Sequence, residues 1–244
     1  MSDALTARQT KLLKCLIDEY LRTAEPVGSE SLDKKYNLEV SPATIRNEMV
    51  DLTKKGYLRQ PHTSAGRIPT PKAMKFYIDQ LMEEKQMSVT EEVKTKEDIS
   101  RVKSDISRLM DEATRTLAQT TKSLAVGTVD DFGTWQAGFS NIFHQPEYVD
   151  DYNMSVSLIS LLDEARRIHE LFFERMTGLS PIEVIFGEDL GWSGFNYISI
   201  VGTRFKLGNR ECALGVLGSE RLEYPRIIPT LRYFRTLMQE FGNY

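Results

Sequence analysis

Residues 41–70 constrain the fold more than any other stretch, because they combine a strong helix start, a strong helix stop and a polar loop. Ser41 is a favourable N-cap, and Pro42 takes the first helical position, where its missing N–H costs nothing. Apolar residues then recur at helical spacing, and Gly56 is expected to end the helix as its C′ residue. A strand, the loop 62–67 and a return strand are predicted to follow as a β-hairpin.

The face of this helix opposite its apolar stripe carries small and hydrogen-bonding side chains. Asn47 can bond adenine in a bidentate way, and Arg46 can bond guanine or phosphate. A recognition helix enters the DNA major groove with its N-terminal end, where Ser41, Ala43 and Thr44 are small enough for close approach. The pattern predicts a helix that reads DNA, although the helix alone is equally compatible with an ordinary amphipathic surface helix.

The helix end, the strand and the loop supply further groups suited to phosphate. The residues predicted to make these contacts are Lys54, Arg59, His62, Thr63 and Arg67. Arg67 also suits a narrow minor groove, and Gly66 is expected to supply a positive φ. For His62 the alternative is an exposed loop histidine with no role.

Two helices are predicted before the Ser41 helix. Residues 6–23 carry an apolar stripe at helical spacing, and residues 29–36 are predicted to form a short helix capped by Ser29. With the hairpin and a further helix from Pro71 to about residue 82, these elements predict a winged helix-turn-helix DNA-binding domain over residues 1–82.

Charge is unevenly distributed along the chain. The 244 residues carry a formal net charge of −4, which taken alone argues weakly against nucleic acid. However, residues 41–77 hold seven Lys or Arg against two acidic residues, whereas residues 80–244 hold 18 against 25. A local basic face on an acidic protein is typical of site-specific DNA binding, with strongly salt-dependent affinity.

The remaining chemistry argues against an enzyme. The three histidines and two cysteines lack metal-site spacing, and no phosphate-binding or nucleophile motif stands in context, so no cofactor is expected. Cys15 and Cys212 are interpreted as small core residues, which fits a reducing cytoplasm. The charged, helical N-terminus is unlike a signal peptide, and no apolar run could span a bilayer.

Residues 83–126 are predicted to form a helical linker. An apolar seam repeats there every three and four residues at Ile99, Val102, Ile106, Leu109, Ala113 and Thr116. The seam is compatible with an intermolecular coiled coil and with a connecting helix packed on its own chain, and the spacing does not decide between them.

Residues 127–244 are predicted to form an α+β domain with an antiparallel sheet. Its expected elements are a helix over 154–176, strands over 182–186, 196–201 and 212–217, and a last helix beginning at Pro225. His169 lies beside the apolar stripe of the first of these helices and is expected to be a half-buried packing residue.

Together these motifs resemble the family of the heat-inducible transcription repressor HrcA. The resemblance rests on residues 41–47, Gly56-Tyr57-Leu58 and 61–70, on Arg8-Gln9 and 25–29 before them, and more weakly on 140–147, 214–218 and 224–226. It implies a dimeric bacterial repressor that binds the CIRCE inverted repeat ahead of chaperone operons and is kept active by the chaperonin. It also implies a GAF-like C-terminal domain interrupted by an inserted dimerising domain.

The chain departs from the family pattern in three places. Glu30 stands where the family usually has a basic residue, and residues 218–221 read Gly-Ser-Glu-Arg in place of Gly-Pro-Thr-Arg. Between Val126 and Phe139 the chain is expected to lack the first strands of the GAF-like domain and most or all of the insertion. The helix over 99–124 would then take over dimerisation.

The leading hypothesis is therefore a sequence-specific repressor of heat-shock chaperone operons that binds an inverted-repeat operator as a homodimer. A ligand-sensing winged-helix regulator with a small-molecule-binding GAF-like domain is the main alternative. A third is a protein-interaction module in which the helical seam and the acidic C-terminal domain carry the function.

Overall fold

The computed structural model describes residues 4–102, 105–131, 133–144, 148 and 152–242. Residues 145–147, part of a segment that resembles the family, lie outside this description. The chain has an α+β architecture and folds as two compact units, unit 1 over Met1–Glu83 and unit 2 over Glu84–Tyr244. No helix among the described residues is long and apolar enough to cross a membrane.

Over its described residues, 4–83, unit 1 contains four helices and one short hairpin. Its elements are α1 (Ala7–Thr23), α2 (Ser29–Lys35), α3 (Pro42–Lys54), β1 (Leu58–Arg59), β2 (Ile68–Pro69) and α4 (Pro71–Gln80). The strands β1 and β2 pair antiparallel, with Leu58 opposite Pro69. An isolated antiparallel bridge between Val27 and Arg67 joins the hairpin to the segment before α2.

Side-chain caps and one glycine set the limits of α3. The hydroxyl of Ser41 accepts the N–H of Thr44, as the sequence predicts for an N-cap. Gly56 has a φ of 78°. Its N–H donates to the carbonyl of Thr53, and the N–H of Tyr57 donates to that of Leu52. These two bonds form a Schellman motif, which confirms the predicted helix stop.

The start of α2 differs from the prediction. Its N-cap is Gly28, and Ser29 is already the first helical residue, so the expectation that Ser29 caps the helix was wrong. No side chain caps this helix end. The core of unit 1 is formed by the inward faces of its elements, mainly Leu12, Leu13, Leu16, Ile17, Leu32, Ile45, Met49, Leu52, Leu58 and Met74.

Unit 2 is built around a five-stranded antiparallel sheet of order β4-β3-β7-β6-β5. Its strands are β3 (Leu124–Val129), β4 (Thr134–Ala137), β5 (Glu183–Phe186), β6 (Ile198–Leu207) and β7 (Arg210–Ser219). Its helices are α5 (Val89–Ser100), α6 (Ile106–Thr121), α7 (Phe139–Ile142), α8 (Tyr152–Asp163), α9 (Ala165–His169), which continues as a π-helical turn (Glu170–Arg175), α10 (Gly187–Leu190) and α11 (Tyr224–Gly242).

Helices cover both faces of this sheet. On one face α6 packs on β3, α11 packs on β6, and α6 contacts α11. The other face is covered by α8, α9 and the π-helical turn, whose apolar residues share one core with Leu124, Ile200 and Leu217 of the strands. The α+β class and the antiparallel sheet predicted from the sequence are confirmed.

The prediction of one long connecting helix was wrong. Helix α5 ends at Ser100, and Asp105 starts α6 by accepting the N–H of Arg108. Leu109 and Ala113, two members of the apolar seam, are buried inside unit 2. These members of the seam therefore pack on their own chain, whereas Ile106 is exposed. Residues from Glu84 onward belong to unit 2.

Two strands that the sequence did not predict, β3 and β4, lie around residues 126–139. That this region lacks the first strands of the GAF-like domain and most or all of the insertion stays a prediction. All six residues of β3 are buried. A strand buried on both faces shows no alternation of apolar and polar residues, so periodicity gave no sign of it.

The helix predicted over 154–176 is interrupted. It divides at Glu164 into α8 and α9, and then continues as the π-helical turn. The three strands predicted near 182–186, 196–201 and 212–217 are confirmed as β5, β6 and β7, and the last two are longer than predicted. His169 is half-buried with its ring centroid 4.8 Å from that of Phe173, which confirms its packing role.

Candidate nucleic-acid interface

Helix α3 has two distinct faces. Its inward face buries Ile45, Met49 and Leu52 in unit 1. Its outward face exposes the residues predicted to face DNA, namely Ala43, Arg46, Asn47 and Lys54, together with Val50. The outward face therefore carries small side chains near its N-terminal end, and hydrogen-bonding and cationic side chains further along the helix.

Ser41 and Thr44 have a structural task at the start of this face. Ser41 Oγ accepts the N–H of Thr44 at 3.2 Å, and the two hydroxyl oxygens lie 3.1 Å apart. Ser41 is exposed, whereas Thr44 is half-buried. The cap therefore holds both side chains close to the helix and leaves little bulk in front of its end.

A buried carboxylate anchors α3 to α1. Glu48 is only 8% exposed, and its carboxylate accepts hydrogen bonds from Arg8 Nε at 2.7 Å and from Gln9 Nε2 at 3.0 Å. Gln9 also accepts from Lys55 Nζ at 3.0 Å, which ties the far end of α3 to the same helix. Sequence reasoning missed this network. Its only sign was an acidic residue amid the apolar stripe of α3.

A second buried carboxylate holds α2. Glu19 of α1 forms ion pairs with Lys35 and, at 2.8 Å, with Arg22, and it accepts from Tyr36 Oη at 3.3 Å. Burial raises the pKa of Glu19, but the hydrogen bonds and charges of Lys35 and Arg22 outweigh it and leave the pKa below its ordinary value. Two short helices thus gain a fixed orientation from α1.

The hairpin loop is closed by its own side chains. Gln60 Nε2 donates to the carbonyls of Thr63 and Ala65, each at 2.9 Å, and the N–H of Ala65 donates to the carbonyl of His62 at 2.9 Å. His62 and Thr63 are exposed at the tip. A closed loop of this kind presents its tip in a defined position beside α3.

The expected role of Gly66 was wrong. Gly66 is not among the described residues with a positive φ. A Cβ at this position would lie 2.4 Å from the carbonyl oxygen of Val27, where the backbones of the bridge meet. Glycine is therefore needed for close approach of two chain segments and not for an unusual backbone angle.

The cations of the loop and of the end of α3 differ in exposure. Arg67 is half-buried, and its Nε donates to Thr53 Oγ1 of α3 at 3.2 Å, so it lies at the base of the loop and not at its tip. Arg59 is also half-buried. Lys54 is well exposed and pairs only loosely with Asp51 at 3.5 Å, a contact of little energetic weight.

A groove of about 440 Å³ runs between α2, α3 and the loop. Arg46 lines it from α3, Arg67 and Thr63 line it from the loop, and Glu30 lines it from α2. The structure thus brings three of the predicted site residues to one groove. Asn47 and Lys54 lie outside this lining, on the outward face of α3.

Comparisons with known proteins place this chain in a family. A family model described as the HrcA protein C terminal domain matches residues 61–228. A heat-inducible transcription repressor HrcA from Alkaliphilus metalliredigens is 52% identical over 95 residues, which cover 39% of this chain and 28% of that protein. A second, from Carboxydothermus hydrogenoformans, is 55% identical over 85 residues, which cover 35% of this chain and 25% of that protein.

The matched part of the chain thus spans about a quarter of the length of these curated relatives. A crystal structure of a hypothetical protein, solved at 2.2 Å resolution, shares the fold with a TM-score of 0.74 at 19% identity, and the match covers 98% of this chain and 99% of that one. Since the family model covers well over half of the 244 residues, the chain belongs to the HrcA family.

Proposed function

We propose that this chain is a sequence-specific DNA-binding transcriptional repressor of heat-shock chaperone operons, and that residues 1–82 act as a winged helix-turn-helix. The observation that carries the proposal is the outward face of α3, small at its N-terminal end and polar beyond it. The inward face of the same helix is fixed by Glu48. An exposed polar face on a rigidly held helix is what major-groove reading requires.

Asn47 and Arg46 are the proposed base-reading residues, with Ser41, Ala43 and Thr44 near the groove floor. Lys54, His62 and Thr63 are exposed and are proposed to contact phosphates. Arg59 and Arg67 are proposed to serve phosphates as well. Because Arg67 is hydrogen-bonded to Thr53 at the loop base, it is better placed for the backbone beside α3 than for a minor groove.

The operator is proposed to be a CIRCE-type inverted repeat bound by a homodimer. Membership of the HrcA family supports this, and the curated relatives are described as heat-inducible transcription repressors. Unit 2 is proposed to be a GAF-like regulatory domain, and the chaperonin is proposed as its partner. The protein is proposed to act in the cytoplasm, without enzymatic activity.

The main alternative is a ligand-sensing regulator. In unit 2, Gly202 and Gly215 pair across β6 and β7 and leave a patch of the sheet without side chains of its own. The ring of Phe172 and the side chain of Met176 already lie over this patch, within contact distance of any added Cβ. The patch is filled by the chain's own side chains, which favours a packed regulatory domain.

Sedimentation velocity with labelled duplexes tests the proposal directly. The full chain is mixed with a CIRCE-type inverted-repeat duplex and with a scrambled duplex of equal length and composition, at moderate salt. We expect a complex of two chains per inverted repeat and at least ~10³-fold weaker binding to the scrambled duplex. Equal binding to the two duplexes would refute sequence-specific repression, and one chain per duplex would refute the dimer.

A further inference from the structure

We infer that Glu30 is a carboxylate brake that lowers the affinity of this protein for the phosphate backbone of DNA. The inference rests on the proposed function, because it concerns the same surface. Its carboxylate has the same sign of charge as DNA phosphate, and the repulsion limits binding to DNA of any sequence.

The groove between α2, α3 and the loop has walls of opposite charge. Arg46 stands on the α3 side, Arg67 lies at the base of the loop, and Glu30 faces them from α2. Glu30 is exposed, and it is the one carboxylate among the described residues that line this groove. A polyanion that follows the two arginines must therefore pass an acidic side chain.

A bound DNA duplex is expected to place its phosphate backbone at this groove. When α3 lies in the major groove and the loop lies beside it, a phosphate strand runs between the two elements. Arg67 then attracts that strand while Glu30 repels it. Because Glu30 is exposed to water, the repulsion is screened, and it weakens binding by a few-fold, on the order of 3- to 10-fold at low salt.

The effect falls on all sequences alike. Phosphate contacts supply essentially all of the non-specific affinity of DNA-binding proteins. A carboxylate that weakens them leaves discrimination to the base-reading residues and reduces the time spent on non-operator DNA. Glu30 thus limits non-specific occupancy without touching a base.

Glu30 also has a structural role, which the test must separate. It lies in the first turn of α2, where a negative charge favours the helix dipole, and this helix end has no side-chain cap. Neutralising Glu30 is therefore expected to lower stability slightly. If Glu30 were purely structural, its replacement would lower the affinity for DNA. If Glu30 is a brake, its replacement raises that affinity.

The experiment measures the affinity of full-length Glu30→Gln for the inverted-repeat and scrambled duplexes over a range of salt concentrations. Asp33→Asn is the matched control, because Asp33 is exposed on the same helix but does not line the groove. We expect Glu30→Gln to bind both duplexes about 3- to 10-fold more tightly at low salt, with a gain that shrinks as salt rises. The control should stay within about 2-fold of the wild type.

Glu30→Lys provides a second, independent readout. It should bind still more tightly and steepen the slope of log affinity against log salt by about 0.9, the value of one added phosphate contact. Unchanged or weaker binding by Glu30→Gln, with a wild type that binds DNA, overturns the brake whatever Glu30→Lys does, and leaves the proposed function standing. A gain in affinity for only one of the two duplexes would assign Glu30 to base reading, and it too would overturn the brake. Failure of the wild type to bind either duplex removes the proposed function and this inference together.

Discussion

Both units have an apolar core, but unit 1 also fixes its helices with buried carboxylates. In unit 1 the buried carboxylates of Glu19 and Glu48 tie α2 and α3 to α1 through directional hydrogen bonds. In unit 2 apolar helices cover both faces of the sheet, and Phe172 fills the patch over Gly202 and Gly215. A short helix with one exposed face buries little apolar area, so apolar packing alone does not fix its orientation. Buried hydrogen bonds are directional and fix that orientation.

The unfolding of each unit can be followed with a different spectroscopic probe. Both tryptophans of the chain, Trp135 and Trp192, lie in unit 2. Tryptophan fluorescence therefore follows the unfolding of unit 2, whereas circular dichroism follows the helices of both units.

The largest effect is expected from Phe172→Ala in unit 2. Phe172 is fully buried, and its removal leaves a cavity over two glycines that have no side chains to fill it. We expect a loss of about 3–5 kcal/mol, measured by urea unfolding followed by tryptophan fluorescence. Phe143→Ala, at an exposed phenylalanine of the same unit, should change stability by less than about 0.5 kcal/mol. A small effect at Phe172 would mean that apolar packing does not dominate unit 2.

The next largest effect is expected on DNA binding in unit 1. Asn47→Ala should cost about 1–3 kcal/mol of affinity for the inverted repeat, because a bidentate base contact is lost, and should leave the scrambled duplex unaffected. Fluorescence anisotropy with both duplexes measures the two affinities. Asn37→Ala, at an exposed asparagine outside α3, should bind as the wild type does.

Lys54→Gln compares a proposed phosphate contact with the proposed base contact of Asn47. If Lys54 contacts phosphate, its replacement should weaken both duplexes by the same factor and reduce the salt slope by about 1. A loss confined to the inverted repeat would instead place Lys54 among the base-reading residues.

An effect of similar size, on stability and not on DNA binding, is expected when the polar anchor of α3 is weakened. Glu48→Gln removes the charge that accepts from Arg8 and Gln9, and we expect a loss of about 1–3 kcal/mol. Thermal unfolding followed by circular dichroism should shift, while the fluorescence transition of unit 2 stays in place. Asp51→Asn, an exposed acid of the same helix, should move neither transition. If Glu48→Gln shifts both transitions equally, the two units unfold together and the contrast between them is lost.

The smallest effect is expected from the pH dependence of Glu19. Its pKa is lowered in the folded protein, so the stabilisation is fully present above its ordinary pKa of about 4.5 and is lost as pH falls through the lower, folded value. Acid unfolding of the wild type should therefore be steeper below about pH 4.5 than that of Glu19→Gln. Identical pH profiles of the two proteins would show that Glu19 contributes no pH-dependent stability.

Local signals were read correctly from the sequence. The cap at Ser41 and the stop at Gly56 each depend on a few neighbouring residues, so their patterns predicted α3 and the start of the hairpin. The outward and inward faces of α3 followed from helical periodicity alone. The base-reading roles of Asn47 and Arg46 stay a prediction.

Contacts between distant segments were not predicted. Arg8 and Glu48 are 40 residues apart, and only the packing of α1 against α3 brings them together. Likewise, Gly66 approaches Val27 at the bridge. From the sequence, a glycine needed for this close approach looks the same as a glycine needed for a turn. The break between α5 and α6 was missed because the apolar spacing continues across it while the backbone does not.

Caps, periodicity and charge act over a few residues, so the order of amino acids was enough to place the outward face of α3 and to give its composition. How that face is held, where Arg67 points and which groove Glu30 shares with Arg46 and Arg67 became visible only in the folded chain. Those features depend on side chains that meet from separate helices. Their free energy comes from burial and hydrogen bonding, which exist only once the chain has packed.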